Sequence, residues 1–195
     1  MTTDQLIAGL IGALISSIFL PLVTYFFIRI LNRSLVCVFP DTPRNESDYR
    51  VFNLRLRNRS PVTLKNVIAY ISINNNANDI ILPGESLIGV FNTTTAVNNS
   101  LLSWSKNLEN KNLPTLNINQ GEIPDLNLIR YHIAQKHRGI EIASEQGFWD
   151  GTTQSRIVLK SNRPYHITIK ITGENFWPKT KKYVFDPEKS FLMEK

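Results

Sequence analysis

The chain opens with an unbroken apolar run from Leu6 to Ile28, free of charged side chains, and then changes to short stretches where apolar and polar residues alternate. As a helix at ~1.5 Å per residue the run is about 34 Å long, more than the ~30 Å hydrocarbon core of a bilayer. Met1-Thr2-Thr3-Asp4 precedes it, and Tyr25, Phe26 and Phe27 close it. A cleaved signal peptide needs a basic start, a shorter apolar core and a small-residue cleavage site. The pattern therefore predicts an uncleaved membrane anchor over residues 1–33. Pro21 lies inside the run and lacks a backbone donor, which predicts a kink near the middle. Ala8/Gly9, Gly12/Ala13 and Ser16/Ser17 recur every four residues. Such a small-residue stripe lets helix backbones approach closely in lipid, so Gly9, Gly12 and Ser16 are the expected contacts of a homo-oligomer formed through the anchor.

Beyond the anchor the period is two, the signature of strands with one buried face. Ser34–Phe39 reads as a short strand ended by Pro40-Asp41-Thr42-Pro43. In Tyr49–Arg57, Phe52, Leu54 and Leu56 alternate with Asn53, Arg55 and Arg57. Lys65–Ile73 places Val67, Ala69, Ile71 and Ile73 on one face, and Ile80–Leu82 and Ser86–Phe91 flank the turn Pro83-Gly84. Near the carboxy terminus, Arg156–Lys160, Tyr165–Ile171 and Lys181–Phe185 continue the style. Short strands with turn signals between them predict a mainly β fold: an N-terminal transmembrane helix, then an antiparallel β-sandwich over residues 34–195. Residues 96–152 read as an insertion holding one helix, Asp125–Arg138. Asp125 is its N-cap, Leu126, Leu128, Ile129 and Ile133 form its apolar side, and Gly139 is its stop. A short strand is expected at Pro114–Asn119, and Gly147-Phe148-Trp149-Asp150-Gly151 closes the insertion as an aromatic turn.

The stretch YRVFNLRLRNRSPVTLKNVIAYISI resembles the first hairpin of immunoglobulin-like sandwich modules, and RIVLKSNRPYHITIKITG resembles a later hairpin of the same fold. The resemblance spans residues 34–95 and 153–186 and implies an Ig-like architecture. It implies no activity, because one fold hosts many functions.

Charge sets the expected orientation. Every lysine and arginine lies at or beyond Arg29, the formal net charge is +6, and the only acidic residue before the run's end is Asp4. Basic residues next to a span stay on the cytoplasmic side, so the sandwich is expected in the cytoplasm and the helix in the inner (plasma) membrane. The single Cys37 agrees, since an exported domain tends to carry paired cysteines. Sequons such as Asn58-Arg59-Ser60 carry little weight in a chain this rich in Asn, Ser and Thr.

Catalytic signatures are sparse. There is no Gly-rich phosphate loop, His-Glu-x-x-His pair or Cys/His cluster with metal spacing. Ser103-Trp104-Ser105-Lys106 matches a Ser-x-x-Lys nucleophile pattern without its supporting motifs. His132 and His137 are five apart, off the i, i+4 spacing of a helical metal pair, and Glu141, Glu145 and Asp150 are scattered. A non-enzymatic protein without cofactor or metal is expected. The basic residues are more informative. Arg55 and Arg57 share one strand face, and Arg130, His132 and Lys136 on the expected helix mix cations with rings. Together they form the candidate site for an anionic ligand such as a nucleotide. The layout resembles that of small bacterial membrane-anchored defence effectors, which implies a cyclic-nucleotide sensor. The alternative is a membrane-tethered adaptor that holds a protein partner and binds no small ligand.

Overall fold

Helix formation begins at once and runs far past the apolar segment. In the computed structural model, which describes residues 3–75, 97–105, 112–134, 139–143 and 157–195, one helix extends over Thr3–Leu35 and is long and apolar enough to cross a membrane. It comprises α1 (Thr3–Leu14), a π-helical turn (Ile15–Phe19) and α2 (Leu20–Leu35). The π turn ends two residues before Pro21. Proline offers no N–H and its ring crowds the carbonyl one turn back, and a widened turn relieves both problems. At the place where Pro21 predicts a kink, the structure shows a change of hydrogen-bond pattern.

Fourteen strands follow among the described residues: β1 (Val36–Pro40), β2 (Arg44–Glu46), β3 (Tyr49–Asn58), β4 (Leu64–Ile73), β5 (Ser100–Leu101), β6 (Trp104–Ser105), β7 (Asn112–Leu113), β8 (Leu116–Ile118), β9 (Asp125–His132), β10 (Ile140–Ile142), β11 (Ile157–Leu159), β12 (Tyr165–Gly173), β13 (Phe176–Asp186) and β14 (Phe191–Glu194). They form two antiparallel sheets. The first has the order β1-β3-β9-β10-β11, with β2 on β3 and the β6–β7 pair joined to β9 through β6. The second has the order β14-β13-β12-β4-β5, with β8 on β4. The expected strands at 80–82 and 86–91 lie outside the described residues.

The alternation of the sequence is the reason the sheets pack. Leu54 and Leu56 of β3, Val67, Ala69 and Ile71 of β4, and Ile167, Ile169 and Ile171 of β12 are all buried. Each such side chain contributes roughly 1.5–3 kcal/mol when taken fully out of water. Across the layers, Phe52 meets Phe185 edge to face at 5.0 Å between ring centroids. The buried Trp104 donates its indole N–H to the Val67 carbonyl at 3.1 Å.

One expectation is overturned. Asp125–His132 is strand β9, not a helix, and Asp125 pairs with Arg55 instead of capping anything. β9 lies between β3 and β10, so the segment expected as an insertion supplies a central strand of the first sheet. Residue 136 and the aromatic turn at 147–151 lie outside the described residues.

Candidate functional site

Residue spacing along β3 and β9 decides which cations meet. Arg55 and Arg57 leave the same face of β3, about 7 Å apart at the base, as the alternation requires. Their surroundings differ. Asp125, whose side chain is 4% exposed, sits directly across from Arg55. Arg55 donates from Nε to Asp125 Oδ1 at 3.1 Å, and its Nη2 lies 3.2 Å from Asp41 Oδ2. Arg44 of β2 donates to the other oxygen of Asp125 at 3.1 Å. A buried carboxylate held between two guanidinium groups is a structural unit, because removing either one leaves the buried charge with half its pairing. Truncating Arg55 therefore disturbs the fold as well as the surface. Arg57 lies opposite Cys37 on β1, is exposed, and has no ion pair among the described residues.

Arg130 and His132 belong to β9, opposite Val51 and Tyr49. Arg130 donates from Nε to Glu141 of β10 at 2.7 Å, with both side chains largely shielded, and its guanidinium lies 4.4 Å from the Tyr49 ring centroid. His132 stands edge-on to Tyr49 at 5.4 Å, and its Nδ1 is buried without a hydrogen-bond partner. Along β3 the register places Arg130 about 13 Å and His132 about 20 Å from Arg55. The cations are strung along two paired strands and do not close over one point. Lys136 lies outside the described residues. Among the described residues no group of three or more His, Cys, Asp or Glu side chains gathers as a metal site would. Ser103 of the Ser-x-x-Lys pattern is buried, so its hydroxyl is not presented to solvent.

Gly9, Gly12 and Ser16 lie on the exposed helix. A Cβ added at Gly9 or Gly12 would meet nothing within 4 Å, and Ser16 spends its hydroxyl on the Gly12 carbonyl at 2.8 Å.

A second cluster, which no pattern in the sequence signals, lies where the helix meets the sandwich. Leu35 ends the helix and Val36 begins β1, so no linker separates them. Three turns gather there: residues 59–63 between β3 and β4, 119–124 between β8 and β9, and 174–175 between β12 and β13. The buried Asn32 donates to the Asn175 carbonyl at 3.0 Å and accepts from the Ser60 hydroxyl at 2.9 Å. Asn175 in turn donates to the Thr63 carbonyl at 2.8 Å and accepts from the Lys65 N–H at 3.1 Å. Thr63 donates to Asn119 at 2.9 Å, which ties in the third turn. Arg29 reaches the carbonyls of Gly173 and Phe176, and Lys179 donates to those of Arg33 and Val36. Burial lowers the Lys179 pKa below its ordinary value. Gly173 is required by close approach, since a Cβ there would lie 2.3 Å from the Phe176 ring.

No protein-family model, no curated protein and no solved structure matches this chain. Any functional reading therefore rests on the joint and the charged strands alone.

Proposed function

We propose that the protein is a non-enzymatic sensor or effector, held in the inner membrane by its N-terminal helix with the sandwich in the cytoplasm. An anionic ligand, of which a cyclic nucleotide is the leading class, binds the sandwich, and the bound state passes to oligomerised anchors. The immunoglobulin-like kinship and the general layout of bacterial defence effectors belong to this proposal, and the two packed antiparallel sheets support them. The joint carries the reading. A passive tether works with a flexible linker, whereas this helix runs directly into β1 and is fastened to two turns through Asn32. A rigid joint transmits a change of sandwich orientation to the span.

A second reading, a tethered adaptor for a protein partner, is favoured by a different observation. Arg55 and Arg130 already have carboxylates in Asp125 and Glu141, so an anion must compete for them. Among the described arginines of the candidate site, Arg57 alone has no carboxylate partner. Thermal shift of the full chain in micelles against a panel of linear and cyclic nucleotides separates the two readings. A ligand that binds the native state alone raises the midpoint, by about 2.7 kcal/mol of stabilisation at a hundredfold excess over Kd. The sensor reading expects such a shift, and Arg57→Ala should reduce it without lowering the ligand-free midpoint. A flat response across the panel sinks the sensor and leaves the adaptor.

A further inference from the structure

Among the described residues, six large apolar side chains outside the helix are exposed: Val62, Ile123, Ile133, Trp177, Phe191 and Met193. Three of them, Val62, Ile123 and Trp177, fall at the end of the sandwich where the helix enters. Topology puts them there. β3 ends at Asn58, paired with Val36 at the start of β1, and Asn58 accepts from the Gly121 N–H of the 119–124 turn. Asn58 also donates to the Val62 carbonyl at 2.8 Å, which fixes the 59–63 turn beside it. Trp177 follows the Asn175 turn that Asn32 grips, and its ring lies 5.9 Å from that of Phe26. Phe26 belongs to the apolar run and lies three residues before Arg29, the first cation.

We infer that this end of the sandwich rests on the lipid surface, with Val62, Ile123 and Trp177 dipping into the boundary between headgroups and acyl chains. The inference rests on the reading of the helix as a membrane anchor. Trp177 is then at the depth of the span's last turn, where the amphipathic indole is most favourable. Arg33, Arg59 and Lys65 are exposed around the same turns against Glu122 and Glu174, a small cationic excess that favours a surface with anionic headgroups. A bilayer is preferred over a protein partner because the patch is continuous with the span: Phe26 lies in the apolar run and touches Trp177 directly. An exposed apolar rim at the base of an anchored domain would otherwise be an aggregation hazard.

The test uses the full chain in phosphatidylglycerol vesicles containing phosphatidylcholine brominated on its acyl chains near the headgroup. The emission difference between wild type and Trp177→Phe isolates this tryptophan from Trp104 and Trp149. That difference should be lost in brominated vesicles. In the Trp177→Phe background, Ile123→Trp should restore a bromine-sensitive signal, whereas Ile133→Trp, at the other end of β9, should add an insensitive one. Carbonate extraction of the same vesicles reports on the helix separately. Protein that resists extraction while position 177 or 123 ignores bromine overturns the inference and leaves the turns to a second copy or a protein partner. Equal quenching at position 133 overturns it too. Protein that carbonate releases removes the anchor reading, and this inference with it.

Discussion

Tyr183 shows how a residue fits a period-two pattern and still carries a cost. Its ring is fully buried in β13, yet its hydroxyl has no hydrogen-bond partner. Burial, reinforced by Glu194, pushes the phenol pKa well above its ordinary value near 10. Above pH 10 the unfolded chain releases this proton while the folded chain keeps it, so fewer protons are bound in the unfolded state and stability falls as pH rises. Tyr183→Phe should remove that alkaline slope from pH 10 upward. It should also raise stability at neutral pH by about 1 kcal/mol, since an unpaired buried hydroxyl is lost with the ring retained. Denaturation midpoints of both proteins between pH 7 and 11 check the two effects. Period two marks the strand of Tyr183 and the strand of Arg55 alike, but not what surrounds either side chain. Spacing gave Arg55 its face of the strand. It gave no sign that Asp125, distant in sequence, would lie across from it and hold it.

Among elements, β1, β3, β4, β8, β11, β12 and the core of β13 fall where period-two alternation put strands, within a few residues. β9 is the instructive exception. Its register on β3 skips Leu128, with Phe52 opposite Ile129 and Asn53 opposite Asn127. The bulge accommodates two apolar residues in succession, Leu128 and Ile129, so Leu126 and Ile129 stand three apart as on a helix face, and Ile133 just past the end of the strand extends the helical spacing. Partners on both sides, β3 and β10, then decide the matter by supplying backbone hydrogen bonds. β14 and the short β2 were unread because few residues carry any period. The joint was equally illegible, since asparagines at 32 and 175 look like loop residues until the fold brings them together. Asn32→Ala should lower stability by about 1–3 kcal/mol, because it removes the bond to the Asn175 carbonyl and leaves the Ser60 hydroxyl poorly paired in a buried place. Chemical denaturation in micelles reads this, and faster amide exchange confined to residues 60–65 and 173–177 is the accompanying signature. A uniform change across the sandwich would mean that Asn32 only fills space.

For the whole molecule, the open matter is whether anchors associate, since the sensor reading needs them to communicate. The helix bears on this in two ways. From Thr3 to Ile28 its described side chains are exposed in the single chain, so that whole surface is available to lipid or to another helix. Gly9, Gly12 and Ser16 fall within one narrow sector of that surface, by the 100° advance per residue. The Gly9 and Gly12 positions have open space around them, and Ser16 back-bonds to its own helix. Leucine at all three positions therefore clashes with nothing in the monomer and keeps the segment apolar enough to span. A stripe used for close backbone packing is the one arrangement the triple variant should damage, because it holds the two axes apart and removes dispersion contacts along the whole contact. Self-association measured by energy transfer between labelled chains in vesicles should drop for Gly9→Leu/Gly12→Leu/Ser16→Leu. Leucine at Ile7, Ile11 and Ile15, on the opposite side of the helix by the same 100° advance, should leave it unchanged. Equal association for both triple variants would place the contact in the sandwich, or show that there is none to disrupt when the wild type itself gives no transfer.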